Sequence, residues 1–239
     1  LAEADPLGAL RASLAERLVA LRGGGAPTPA LLDVAVQRFA AGAQEVVVVA
    51  PRDWEQLRHE EGGAGRPVPY WARPWPSGLA LAAALDAEPV ARGARVLELG
   101  CGLGIPSVVA ARAGAAVLAT DGAPDAVAFA AHTLALNEVV AEVAVVDWAR
   151  QGEALVARGP FDVLLAADVL YTRANVETAL RLWPRLLADG GVLRLADPRR
   201  AGTRDFLAAA RGTLGVVSQG QDDAVALHVL RPRRPRAGE

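Results

Sequence analysis

The sequence predicts an α/β protein, a doubly wound and mostly parallel sheet with helices on both faces, preceded by an N-terminal extension and closed by a C-terminal antiparallel hairpin. Three observations predict it. From Ser77 onward, short apolar runs alternate with helical patterns across short connections. A glycine-rich turn joins the first of these runs, RVLELG, to a helix, and the next run ends on Asp121. The last two runs, in TLGVVSQGQDDAVALHVL, flank a Gly-Gln-Asp-Asp turn that is too short for a crossover helix.

The elements follow in chain order. Leu7, Leu10, Leu14, Leu18 and Leu21 fall at helical spacing, and the stretch from Gly23 to Pro27 stops that helix. A second helix is expected after Pro29, then the strand EVVVVA, a polar helix around Trp54 to Glu61, and a loop over EGGAGRPVP. Ser77 is placed to cap a helix carrying Leu79, Leu81 and Leu85. The strand RVLELG then passes through its glycines into a helix with Pro106 in the first turn. VLAT with Asp121 forms the second strand, and Asp125, Val127, Ala131 and Leu134 belong to the helix after it. EVAVVDW, FDVLLAAD and GVLRLAD are the third, fourth and fifth strands. Between the last two, Val176, Ala179, Leu180, Trp183 and Leu187 make an apolar helix face, with a kink expected at Pro184. This Rossmann-like arrangement divides the chain into an extension over 1–66, the sheet domain over 67–231 and a basic, solvated tail over 232–239.

Composition narrows the function classes. About half of the 239 residues are apolar, enough to bury a full core, and the net charge of −2 gives no general attraction to nucleic acid or an anionic membrane. The run VVVVA is far short of the roughly 20 residues a membrane span needs. A single cysteine, Cys101, excludes an internal disulfide, so nothing argues for secretion and a cytoplasmic location is expected. His59, His132 and His228 stand singly, so no metal site is expected. All basic side chains apart from histidine are arginine; the chain has no lysine.

Gly100, Gly102 and Gly104 leave a strand end without side chains, so a ligand can approach the backbone there. Asp121, at the tip of the next strand, is placed to accept both hydroxyls of a ribose. A dinucleotide fingerprint wants glycine where this chain has Ile105, and a phosphate-gripping loop wants a lysine the chain lacks. Glu98, inside the strand, opposes a pyrophosphate and suits a cofactor with a cationic sulfonium and an α-amino group. S-adenosyl-L-methionine fits these residues better than a dinucleotide.

VLELGCGLGIPSVVAARAGAAVLATD resembles the first two strands of a class I, seven-strand methyltransferase. PYWARPWPSGLALA, the pair Asp147-Trp148, AADVLY and ADPRR are similar, more narrowly, to the family-16 group, which contains many protein lysine methyltransferases. The resemblance runs from about Val68 to Arg200. It implies that Trp75 lies beside the cofactor, that the backbone of Gly100, Cys101 and Gly102 meets its methionine part, and that Asp121 holds the ribose. It also implies that Trp148 lies along the adenine, that Asp147 accepts from the adenine amino group, and that Ala167 makes a backbone contact near the sulfonium. Asp168 and Tyr171 would line the opening where the methyl leaves, Asp168 orienting an incoming ammonium and Tyr171 with Trp71 forming an aromatic wall. Trp75 and Trp148 also suit a core position, and Tyr171 the packing of the following helix. Cys101 reads as a small residue in a crowded loop, not a nucleophile. The expected partner is a protein substrate carrying the lysine. A small-molecule N- or O-methyltransferase, or a non-catalytic protein that keeps the fold, stays open because fold does not fix substrate.

Overall fold

The computed structural model describes residues 7–221 and 224–233. Helix α1 (Gly8–Arg22) stops at Gly23, whose φ of 72° lets its N–H reach the carbonyl of Val19. The helix expected after Pro29 is a single turn, α2 (Pro29–Leu32). It is followed by β1 (Val34–Ala41) and β2 (Gln44–Pro51), an antiparallel pair in which Ala41 faces Gln44 across the loop Gly42-Ala43. Gly42, at φ 69°, supplies the first loop residue, and Asp86 fixes the loop by accepting from the Ala43 N–H at 2.6 Å and from the Gln44 amide at 2.7 Å. The outer edge of β2 is sealed by Asn137, which accepts from the Val47 N–H at 3.0 Å and donates to its carbonyl at 2.6 Å.

Helix α3 (Trp54–Gly63) is capped by the Asp53 carboxylate on the Gln56 N–H. A 3-10 turn over Tyr70–Ala72 leads to α4 (Pro76–Ala87). Trp75, not Ser77, is the residue that precedes this helix, because Pro76 is already set for the first turn; Ser77 is buried inside it.

The sheet then builds from β3 (Arg95–Leu99), α5 (Ile105–Arg112), β4 (Ala116–Asp121), α6 (Pro124–Leu136), β5 (Glu142–Val145), α7 (Trp148–Arg158), β6 (Phe161–Ala167), α8 (Arg173–Leu186), β7 (Leu187–Asp197), α9 (Ala201–Ala209), β8 (Leu214–Gln221) and β9 (Ala226–Pro232). Its seven strands run β5-β4-β3-β6-β7-β9-β8, parallel through β7, with β9 antiparallel to β7 and to β8. The centre of the β8–β9 turn and the end of the basic tail lie outside the described residues. Strand β5 ends before Asp147 because that carboxylate caps α7, accepting from the Ala149 N–H at 3.0 Å. Helix α8 continues across Pro184 to Leu186, and Leu187, expected on its apolar face, opens β7 instead.

Alternating strand residues feed two cores. Val96, Val163 and Leu165 pack with Leu81, Val109 and Phe129 from α4, α5 and α6. Leu97, Leu164 and Leu195 pack with Trp183 of α8 and Phe206 of α9 on the opposite face. The hairpin and α1 lie over the α4–α5–α6 layer, so the first core extends from the sheet to Leu14, Leu18, Val46 and Val48.

Candidate active site

The strand order reverses between β3 and β6, and a doubly wound sheet opens a crevice at such a point, at the carboxyl ends of its strands. Leu99 is in register with Thr120 on one side and Ala166 on the other, so Gly100, Asp121 and Ala167 follow side by side at that edge. They border a cavity of about 1150 Å³ whose wall also includes Trp75, Glu98, Asp147, Trp148, Asp168 and Tyr171. Cys101 and Gly102 border it too, whereas Gly104, the third glycine of the turn, does not.

The three glycines have φ of 69°, 52° and 78°. Their spacing answers to a left-handed turn and to the protein's own packing. A Cβ on Gly100 would fall 2.7 Å from Cγ1 of Val169, and one on Gly104 3.2 Å from Cβ of Ala130. Open approach of a ligand is thus not what excludes side chains at these two positions. Cys101 is buried, its N–H bonded to the Thr120 carbonyl at 2.9 Å, and burial pushes its thiol well above the usual range, which leaves no nucleophile there.

Asp121 is oriented by main chain alone. Its Oδ2 accepts from the Gly102 N–H at 3.0 Å and its Oδ1 from the Ala123 N–H at 2.9 Å. Each oxygen keeps a lone pair for a further donor. Burial raises its pKa, and the backbone donors oppose that rise. Glu98, 2 % exposed, accepts from the Ser107 hydroxyl; burial, with a smaller push from the charge of Asp121, drives its pKa to about 8. Glu98 is therefore mostly protonated at neutral pH in the free protein.

Trp75 is half-buried, so it is no core residue; its indole N–H donates to the Tyr70 carbonyl at 2.6 Å and the Arg73 guanidinium lies 4.7 Å from its ring. Trp148 is both core and cavity wall, packed 5.9 Å from the Trp183 ring.

At the other end, Asp168 sits just past β6 at φ 56°, held by its N–H on the Ala196 carbonyl at 2.9 Å. Its carboxylate accepts both arms of Arg200, Nε at 2.5 Å and a terminal nitrogen at 3.0 Å. Val169 and Leu170 are buried, whereas Tyr171 is 55 % exposed, which removes its reading as helix packing. Trp71 borders the cavity but packs its ring on Phe129, centroids 5.1 Å apart, and the ring beside Tyr171 is that of Tyr70, 6.2 Å away. Sequence reasoning missed Tyr70 and Arg200. PYWA and ADPRR contain both, but nothing in either motif tells which of two adjacent residues meets Tyr171 or Asp168.

The extension also contributes wall. Arg22, at the end of α1, donates to both oxygens of Asp125 at 2.6 and 2.5 Å, and Glu61 of α3 joins Arg66 to the same network. Among the described residues no group of three or more His, Cys, Asp or Glu is gathered for a metal, and no helix is long and apolar enough to cross a membrane.

Fold and site together define the class I methyltransferase architecture. Among solved structures of this fold are the 16S rRNA N2 G1207 methyltransferase RsmC of T. Thermophilus in complex with AdoMet and guanosine, and the ribosomal protein L11 methylase of Lactobacillus delbrueckii subsp. bulgaricus. The first is similar with a TM-score of 0.64 at 18% identity, over 88% of this chain and 52% of that one. The second has a TM-score of 0.53 at 20% identity, over 66% and 79%. The chain belongs to the lysine methyltransferase family, whose pattern residues 73–212 match. It is 36% identical to the electron transfer flavoprotein beta subunit lysine methyltransferase of Xenopus laevis over 56% of this chain and 54% of that protein. It is 30% identical to the protein N-lysine methyltransferase METTL21A of Danio rerio, over 59% and 66%. The chain spans about half the length of the flavoprotein-subunit methyltransferases it matches.

Proposed function

We propose that the protein transfers a methyl group from S-adenosyl-L-methionine to the side-chain amine of a lysine in another protein. The observation that carries this reading is one cavity with a backbone-held carboxylate at one end and a carboxylate with exposed aromatic rings at the other. The lone pairs left on Asp121 suit the two hydroxyls of a ribose. Trp148 would lie along the adenine, and Oδ2 of Asp147, loosely paired with Arg150 at 3.5 Å, would accept from the adenine amino group. The main chain of Gly100, Cys101 and Gly102 would receive the methionine part, Glu98 its α-amino group, and Ala167 and Trp75 would flank the reacting end. Ligand cavities commonly measure about 300–1,000 Å³. The 1150 Å³ here leaves space for an acceptor side chain beside the cofactor.

When bound, the cofactor supplies a methyl carbon on a sulfonium, which an amine lone pair displaces while the bonding electrons leave on sulfur. The protein's work is to orient a neutral amine in line with that carbon and keep water away. Asp168 accepts an N–H of the lysine nitrogen and aligns it; Tyr171 and Tyr70 wall the approach. An ordinary lysine has a pKa near 10.4, so its proton must be lost before attack, and a carboxylate alone opposes that loss.

The relatives' names make the electron transfer flavoprotein β subunit the first acceptor to try. The test is incubation with labelled S-adenosylmethionine and either that subunit or a cell lysate, followed by gel and mass spectrometry. A methylated lysine in a protein band supports the reading. Label on a small molecule makes the protein a small-molecule N- or O-methyltransferase, and cofactor binding without transfer makes it a binding protein. The single free cysteine is in keeping with a cytoplasmic location, and the near-neutral charge gives no reason to invoke nucleic acid or membrane as partner.

A further inference from the structure

Asp168 already has a cation on it. Arg200 follows β7 in the chain, and its backbone N–H donates to Oδ1 of the fully buried Asp197 at 2.6 Å, which fixes where its side chain starts. The guanidinium then grips Asp168 with two bonds and borders the same cavity as Tyr171 and Tyr70. The turn that carries Asp168 is fixed independently, by the Asn175 amide on the Val169 carbonyl at 2.7 Å.

Resting on the lysine reading above, we infer that Arg200 is a positioning residue that holds Asp168 in place and neutralises it, so that the acceptor site aligns the lysine nitrogen without trapping it as an ammonium. Bidentate pairing leaves one lone pair on each Asp168 oxygen, enough to receive an N–H from the acceptor. With Arg200 in place the pair carries no net charge, and the nearby cation favours the neutral amine. The acceptor's proton passes to solvent water, and the electron pair stays on nitrogen.

The other groups around the pair do not reverse this balance. Asp197, fully buried beneath Arg200 and not part of the cavity wall, favours the charged guanidinium, and His228 on β9 is pushed below the usual imidazole range, first by burial. Tyr70 and Tyr171 carry phenols, and the phenol of Tyr171 is pushed above the usual tyrosine range, first by desolvation in the cleft and then by Asp121. Arg204 of α9 is engaged on the Arg199 carbonyl at 3.1 Å.

Two variants and two readouts test the inference. In the cofactor-free protein at pH 7, n-butylamine followed by NMR titration should bind Arg200→Gln about tenfold more tightly than the parent, because an uncompensated Asp168 attracts the butylammonium; Arg200→Lys should bind like the parent. With the lysine acceptor found in the labelling experiment, the pH at half-maximal kcat should rise by about one to two units in Arg200→Gln, so that turnover falls more at pH 7 than on the high-pH plateau. Arg200→Lys should hold the parental profile. Equal butylamine binding in all three proteins, or a fall in kcat of the same factor at every pH, overturns the inference. A parent that methylates no lysine sinks the lysine reading instead, and the butylamine titration still decides the role of Arg200.

Discussion

The two ends of the cavity are held by different means. At the β3–β4 end, Asp121 is fixed by two main-chain N–H groups, Glu98 is buried, and the adjoining turn requires left-handed glycines. At the β6–β7 end, Asp168 is fixed by an arginine side chain that is 43 % exposed, and more than half of the surface of Tyr70 and Tyr171 is exposed. A group oriented by backbone changes only if the fold changes. A group oriented by a half-exposed side chain is retuned by one substitution. The first suits a fixed binding site, and the second a site that substitution can adapt.

Substitutions at the two ends should therefore differ in kind. The largest effect is expected at the acceptor end: Asp168→Asn should lower turnover by about a hundredfold or more and change cofactor affinity by less than about twofold, as measured by steady-state kinetics and calorimetry. It removes a carboxylate oxygen that accepts from the lysine nitrogen and leaves Arg200 unpaired. Tyr171→Phe, which removes a hydroxyl and keeps the ring, should lower turnover by less than about tenfold. Full activity in both variants would move the acceptor site elsewhere. At the cofactor end, S-adenosylmethionine or S-adenosylhomocysteine at about 100 times Kd should stabilise the protein by about 2.7 kcal/mol, a Tm rise of roughly 5–10 °C for a chain of this length. NAD and NADP should leave Tm unchanged, and a shift with NAD alone would overturn the cofactor assignment.

The smallest of these effects concerns Glu98. Its carboxyl is raised in the folded protein from the ordinary 4.5 to about 8. The folded state thus holds a proton that the unfolded state has released throughout that window, and the stability of the free protein falls as pH rises from about 4.5 to about 8. Glu98→Gln removes this contribution, so the Tm difference between variant and parent should move in the variant's favour between pH 5 and pH 8. A difference that does not change with pH would mean that Glu98 is ionised in the free protein. Binding of the cationic α-amino group favours that ionised form, so cofactor affinity should itself rise with pH over the same window.

Most of the sheet was legible because period and punctuation agree there. RVLELG, VLAT, FDVLLAAD and GVLRLAD each become strands, and the glycine turn and Asp121 meet at one edge. The hairpin over Val34–Pro51 was half-missed because Leu31, Leu32 and Val36 are also compatible with a helix. The signal that separates the readings is Gly42-Ala43 between two runs rich in β-branched and apolar residues, and its anchor, Asp86, is distant in sequence. At the site, the positions of Asp121 and Asp168 follow from strand ends, which sequence displays. Arg200 and Tyr70 do not follow, because the direction of a loop arginine or of one aromatic in a Tyr-Trp pair is decided by tertiary contacts such as Asp197 and Phe129. The reason for the glycines also came only with the structure, since the neighbours that exclude a Cβ are Val169 and Ala130.

The division of labour between the two carboxylates is tested most directly by calorimetric titration of S-adenosylmethionine into Asp121→Ala and Asp168→Asn side by side, with the fold of each checked by thermal melting. Asp121→Ala should weaken binding by about ten- to a hundredfold, about 1.5–3 kcal/mol for charged hydrogen bonds, while Asp168→Asn binds as the parent does. Unchanged affinity in a folded Asp121→Ala protein, or its loss in Asp168→Asn, would contradict the account.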